Sequence, residues 1–298
     1  MTFWNLVALA TFNLCRGDNN IMVPLYHDEV TGSPAVAVTV RGLGEVQHAT
    51  CALTFARTSV FRFDVDLTST IIFETNTSYV EPNARFHTEE AISKSSLTIG
   101  PRSTMLEMFN PIAVIKNSSD PVSLILNTTD EFFYNHCIAE SLVAARYTNA
   151  GTGIRLQGMR GSVAMIDREV SSVGDEVILK LIPENVLMAL PLRPYNELML
   201  SILAAGMTRS SHPPMHFTNC HNLPQSLSLQ LAIWTTEETW VHLIVYPEDY
   251  FEVPGSDVCR LKIVKYRRGA IFVNPLMLPG LNFRIHQYGL LELCDTSI

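Results

Sequence analysis

Phe61-Arg-Phe-Asp-Val-Asp-Leu-Thr-Ser-Thr-Ile-Ile-Phe73 is the stretch on which the reading of this chain turns. Phe61, Phe63 and Val65 alternate with polar residues, as one face of a half-buried strand does, and Ile71, Ile72 and Phe73 open a second apolar run. Between the two lies Asp66, followed by Leu67, Thr68 and Ser69. A carboxylate at a strand end needs hydrogen-bond donors, and Thr and Ser hydroxyls at a tight turn supply them. Taken alone, the window describes a β-turn aspartate capping its own loop. The surrounding chain changes that reading.

On the N-terminal side, Ala35-Val-Ala-Val-Thr-Val40 and Ala49-Thr-Cys-Ala-Leu-Thr-Phe55 read as strands separated by Gly42-Leu-Gly44. Short apolar runs punctuated by Gly and Pro predict a β-meander or orthogonal barrel. The polar segment Glu81 to Ser96 predicts a loop, and Leu97-Thr-Ile-Gly100 before Pro101 predicts the turn of a hairpin. A second series begins after Thr148-Asn-Ala-Gly-Thr-Gly153, which we take as the boundary between lobes of residues 18–150 and 151–298. Glu176 to Ile182 is strand-like, Pro183-Glu184-Asn185 interrupts it, and Val186 to Leu190 resumes before Pro191. The period then lengthens. Tyr195, Leu198, Met199, Ile202 and Leu203 share one helical face, which predicts a helix from Pro194 to Gly206.

The chain has 298 residues, enough for two domains of about 150 each. Its 47% hydrophobic and 17% charged content suits a globular β-rich protein. A formal net charge of -8 argues against binding a phosphate backbone, and Lys265-Tyr-Arg-Arg268 reads as an exposed strand end. The apolar residues 1–17 predict a secretory leader, with Ala8-Leu9-Ala10 or Cys15 to Gly17 as the cleavage site. Arg16-Gly17-Asp18 is then its polar border. Asn76-Thr-Ser, Asn117-Ser-Ser and Asn127-Thr-Thr are glycosylation acceptors, where chance supplies about one or two. Beyond the leader stand Cys51, Cys137, Cys220, Cys259 and Cys294. This odd count leaves one unpaired, pairs one between chains, or involves Cys15. No other segment reaches a membrane-spanning length, so a secreted or extracytoplasmic protein without an integral span is expected.

Val186-Leu-Met-Ala-Leu-Pro191, Tyr195-Asn-Glu-Leu198, Cys220-His-Asn-Leu-Pro224, Pro247-Glu-Asp-Tyr250, Cys259 and Ile271-Phe-Val-Asn-Pro-Leu-Met-Leu-Pro-Gly-Leu-Asn-Phe-Arg-Ile285 form an ordered set. This set resembles the second lobe of the pepsin family of aspartic peptidases. The resemblance implies an all-β, bilobal pepsin-like fold, two pseudo-symmetric β-barrel lobes with a few short helices. It further implies a disulfide between Cys220 and Cys259. In its light, Asp66-Leu67-Thr68-Ser69 stands where the family carries Asp-Thr-Gly-Ser, and Asp66 becomes the candidate catalytic carboxylate.

Three departures follow from the same comparison. Leu67 and Thr68 replace the Thr whose hydroxyl braces the two loops and the Gly that lets a backbone amide approach the carboxylate. Counted back from Ala189-Leu-Pro191, the second aspartate position holds Ile182, followed by Pro183 and Glu184. Ile99 precedes Gly100 where a flap would present Tyr before Gly. Peptide hydrolysis by this family needs two carboxylates sharing one proton. The favoured reading is therefore a secreted homologue without peptidase activity that holds an extended peptide or protein ligand in the cleft between lobes. The alternative is an endopeptidase of acidic pH with an unorthodox dyad, Glu184 substituting two residues along. A third reading, an adhesive surface glycoprotein, rests on Arg16-Gly17-Asp18 alone.

Other chemistry finds little support. His212, His216, Cys220 and His221 crowd ten residues, but their spacing fits no standard zinc site. The chain contains no glycine-rich phosphate loop, Gly-x-Ser-x-Gly elbow or His-Glu-x-x-His pair. We expect no metal, no cofactor and no nucleic-acid partner.

Overall fold

Val36, Val38 and Val40 point into the core from the strand Pro34–Arg41, while Ala37, Thr39 and Arg41 face outward, the period-2 pattern of a sheet with one wet face. This strand pairs antiparallel with Val46–Thr54 on one side and with Ser69–Phe73 on the other. Ser78–Glu81 continues the sheet beyond Ser69–Phe73, and Tyr26–His27 adds against Pro34 and Ala35. The computed structural model describes residues 20–27, 34–41, 46–54, 69–81, 96–99, 103–116, 122–146, 153–161, 176–179, 186–210, 215–220, 223–253, 257–266, 271–274, 278, 280–287 and 289–296. The expected leader, Cys15, Asp66, Ile182, Glu184, Gly100 and Asn117 lie outside them.

The expected hairpin turn at Leu97–Gly100 is not what the chain forms. Ser96–Thr98 is a strand paired parallel to Ala52–Thr54, and the helix Thr104–Met108 follows it. The next element after Ser96–Thr98 is a helix and not a returning strand, and Leu97 and Ile99 are both buried in the core. Ile99 therefore says nothing about a flap, and one of the three catalytic departures drops out.

A six-stranded antiparallel sheet ties the two lobes together. Its order is Ile21–Pro24, Ser123–Leu126, Ile112–Ile115, Leu281–Ile285, Leu290–Asp295 and Val143–Arg146. Two of these strands come from the far end of the sequence and pair with strands of the first half. All four residues of Ile112–Ile115 and all five of Leu281–Ile285 are buried, so both faces of the sheet are covered at its centre. Cys137 and Cys294 form a disulfide that closes the same junction over a separation of 157 residues.

The second lobe holds a seven-stranded sheet. Its order is Trp240–Val245, Leu229–Trp234, Gly153–Gly161, Glu176–Leu179, Ile271–Val273, Met188–Pro191 and Ile263–Tyr266. A smaller sheet runs Thr208–Arg209, His216–Thr218, Val258–Leu261 and Phe251–Glu252. The amphipathic helix spans Leu192–Ala204, two residues earlier than Pro194 suggests. Proline fits there because amides of the first turn have no intrahelical partner to lose. Tyr195, Leu198, Met199 and Ile202 are buried as their spacing requires, whereas Leu203 is 46% exposed. Gly206 ends the element at φ 88°, a left-handed conformation that glycine adopts without strain. Buried side chains from both halves of the chain join in one large core, and Ala113, Ile115, Ile125, Phe133, Cys137 and Cys294 form a second, smaller cluster on the six-stranded sheet.

Candidate functional site

The strand Ile271–Val273 is flanked by Glu176–Leu179, which runs parallel to it, and by Met188–Pro191, which runs antiparallel. Leu179 and Met188 both lie opposite Val273, so residues 180–185, which include Ile182 and Glu184, link two strands that end beside the same residue. Two hydrogen bonds anchor the exit of that link. Asn274 N–H donates to the Leu187 carbonyl at 2.8 Å, and Leu187 N–H donates to the Lys262 carbonyl at 2.8 Å. Val186, Leu187, Met188, Val273 and Asn274 are all buried. None of these five ionises, so the described residues at these strand ends supply no carboxylate.

In the first lobe, Ser69–Phe73 begins three residues after Asp66, with Thr70 opposite Arg41 and with Ile71 and Phe73 in the core. The apolar run read from the sequence is therefore an interior strand, held on both sides. Cys220 and Cys259 are joined as a disulfide that secures His216–Thr218 to Val258–Leu261. Cys51 is a free thiol with no exposed surface, and burial pushes its pKa up to about 12. A thiol so placed is inert toward oxidation and metal.

The two described glycosylation acceptors differ in presentation. Asn76 is exposed on the turn between Ser69–Phe73 and Ser78–Glu81, its φ of 62° held by hydrogen bonds between Phe73 and residues 76 and 77. Asn127 is half-buried, Thr128 is buried, and the Thr129 hydroxyl accepts from Phe132 N–H as the cap of the helix Asp130–Tyr134. Asn76 is thus the more exposed of the two.

Sequence reasoning missed a buried ionic cluster on the six-stranded sheet. Arg284, 1% exposed, donates through Nε to Glu292 Oε2 at 2.6 Å, and its Nη1 makes a 2.7 Å ionic contact with Asp130. The guanidinium also lies over the Phe133 and Tyr134 rings, at 4.7 and 5.1 Å from their centroids. Glu292 further meets His286 Nε2 at 2.6 Å and accepts from the Tyr134 hydroxyl at 3.3 Å. Burial alone would raise the Glu292 pKa, but the hydrogen bonds and charges of His286 and Arg284 outweigh it and bring it down to about 2. The signal was present as a single Arg inside the apolar Leu281-Asn-Phe-Arg-Ile285, a residue rarely buried without a partner.

Lys116 is the second buried charge. Its amine donates to the Leu278 carbonyl, and burial brings its pKa down to about 7 although the Asp249 charge opposes the shift. Among the described residues no group of His, Cys, Asp and Glu is arranged to hold a metal, and no helix is long and apolar enough to cross a membrane.

Two lobes of sheet, a shared six-stranded sheet built from both ends of the chain, and a strand framed by one parallel and one antiparallel neighbour define the aspartic-protease-like fold. Solved structures with this architecture match over nearly the whole chain. Basic 7S globulin from soybean superposes with a TM-score of 0.63 at 10% identity, covering 94% of this chain and 97% of that one. EDGP gives 0.59 at 10% identity, covering 93% and 95%. Conglutin gamma, a basic 7S globulin from lupine seeds, gives 0.59 at 9% identity, covering 94% and 95%. At such identities the likeness establishes the fold and nothing further. No protein-family profile matches the chain, and no curated protein does.

Proposed function

We propose that this chain is a secreted pepsin-like homologue that has lost peptidase activity and binds an extended peptide or protein segment in the cleft between its lobes. The observation that carries the proposal is Ile182 at the position of the second catalytic aspartate. In the two-carboxylate mechanism one group takes a proton from water while the other protonates the scissile carbonyl. A branched alkyl side chain does neither, and each role is worth typically ~10²- to 10⁴-fold in rate. Asp66 then remains as a lone acid flanked by Leu67 and Thr68, without the Gly that brings a backbone amide to the carboxylate. The strand ends described on either side of residues 180–185 are apolar and support the same reading, and within that link Glu184 is the one carboxylate, two residues along from Ile182. The fold keeps two lobes, and the groove between them suits an extended chain through main-chain hydrogen bonds and alternate side-chain pockets. The leader 1–17, the lobes 18–150 and 151–298, and glycosylation at Asn76, Asn117 and Asn127 complete the reading, Asn76 being the most open of the described acceptors.

The test is incubation of the secreted full chain with denatured globin at acidic pH, beside Asp66→Ala, and titration with a statyl peptide. The expected result is no cleavage by either protein together with saturable peptide binding. Cleavage by the parent that Asp66→Ala abolishes overturns the loss of activity, and absence of peptide binding overturns the cleft as a recognition groove.

A further inference from the structure

The outer face of the first-lobe sheet carries a concavity of about 400 Å³ lined by Ala37, Val38, Thr39, His48, Thr50 and Glu74. This volume lies within the ~300–1,000 Å³ typical of small-ligand sites. Its shape follows from the register. Ala37 stands opposite Thr50, and Thr39 stands opposite His48, so a small side chain forms the floor and longer polar ones rise beside it. Glu74 stands just past the end of Ser69–Phe73, and the Tyr26 hydroxyl donates to its Oε2 at 2.8 Å. Tyr26 itself is 44% exposed.

The chemistry of these walls narrows the ligand. Glu74 repels anions, as does the overall charge of -8. The lining is too polar for a flat apolar molecule, and a lone exposed carboxylate holds an ammonium only weakly. His48 Nδ1 is 2.9 Å from the Thr39 hydroxyl, so whichever tautomer forms, Nε2 offers the opposite role, a donor in one case and an acceptor in the other. A sugar hydroxyl donates and accepts, and so suits either tautomer, the Thr50 hydroxyl and the remaining oxygen of Glu74. We infer that this trough binds a short neutral saccharide.

The saccharide has two sources. Asn76 is exposed and two residues beyond Glu74 in the chain, so a glycan attached there is one source, and a free sugar from solution is the other. The experiment reads the His48 imidazole by NMR in the full chain, with His48→Asn assigning the resonance. In the Asn76→Gln protein, titration with N,N′-diacetylchitobiose is expected to shift the ring saturably, with a dissociation constant on the order of 1 mM. Ala37→Leu, which fills the floor, and Glu74→Ala are each expected to weaken that binding about tenfold or more, a difference of roughly 1.4 kcal/mol. In the Asn76-glycosylated protein, a His48 ring that starts shifted and returns on enzymatic glycan removal identifies the chain's own glycan as the occupant. A ring unmoved by glycan removal but titrated by chitobiose identifies a free sugar. The inference is overturned if neither arm moves His48, or if Ala37→Leu and Glu74→Ala respond like their parent while keeping its circular dichroism.

Discussion

Glu292 sits where Arg284, His286 and Tyr134 converge, and its protonation has a calculable sign. Its folded pKa of about 2 lies below the ordinary 4.5, so the unfolded chain takes up a proton first as pH falls. The stability it contributes is complete above pH 4.5 and is lost as pH drops from there through 2. Urea midpoints measured from pH 6 to pH 2 should fall for the parent and fall less steeply for Glu292→Gln. At neutral pH the same substitution leaves Arg284 buried with Asp130 as its remaining carboxylate, and should cost about 2–4 kcal/mol. Lys116 works in the opposite range. Its folded pKa of about 7 is below the ordinary 10.5, so the unfolded chain holds the extra proton between these values and stability rises with pH across them. Lys116→Met removes that dependence. Thermal melts should therefore place the variant higher relative to the parent at pH 6 than at pH 10, and equal differences at the two values would contradict the burial argument.

At the scale of elements, the helix Leu192–Ala204 shows what a sequence discloses and what it withholds. Its buried face was legible because Tyr195, Leu198, Met199 and Ile202 recur at helical spacing. Its start was not, since proline is tolerated throughout the first turn and marks no single position there. Leu203 fits the same period yet is 46% exposed, so spacing alone does not decide burial at the edge of the apolar face. The strands Pro34–Arg41 and Val46–Thr54 were legible for a local reason, adjacent alternating runs with glycines between them. Ser96–Thr98 was misread because its partner is more than forty residues away and parallel, and nothing local announces such a pairing. Of the candidate site, the apolar strands on either side of Ile182 and after Asp66 could be read from the sequence. The Arg284 cluster was announced only by an Arg within an apolar run, since its partners Asp130 and Glu292 come from separate segments. The helix end offers a clean test. A Cβ on Gly206 would meet nothing within 4 Å, so Gly206→Ala suffers only the left-handed backbone. Denaturant unfolding should show a loss of about 1–2 kcal/mol without a change in slope.

For the whole molecule, the decisive feature is that the first lobe cannot complete its lowest sheet from its own sequence. Ile112–Ile115 has Ser123–Leu126 on one side, and its other neighbour is Leu281–Ile285 from the far end of the chain. Without that neighbour an apolar strand would present an open row of amides and carbonyls to solvent, a template for aggregation. The covalent link agrees with the topology, since Cys137–Cys294 closes a loop of 157 residues across the same sheet. In the chain-entropy view so long a loop gives stabilisation near the upper end of the usual ~2–5 kcal/mol. A fragment of residues 18–150 expressed alone should accordingly be insoluble or lack a cooperative melt. Co-expression with residues 151–298 in an oxidising compartment should recover a soluble two-piece protein joined through Cys137 and Cys294, and Cys137→Ser should allow the pieces to part under mild denaturant. A cooperative, monomeric melt from 18–150 by itself would mean that the six-stranded sheet is a contact between finished lobes and not a part of each.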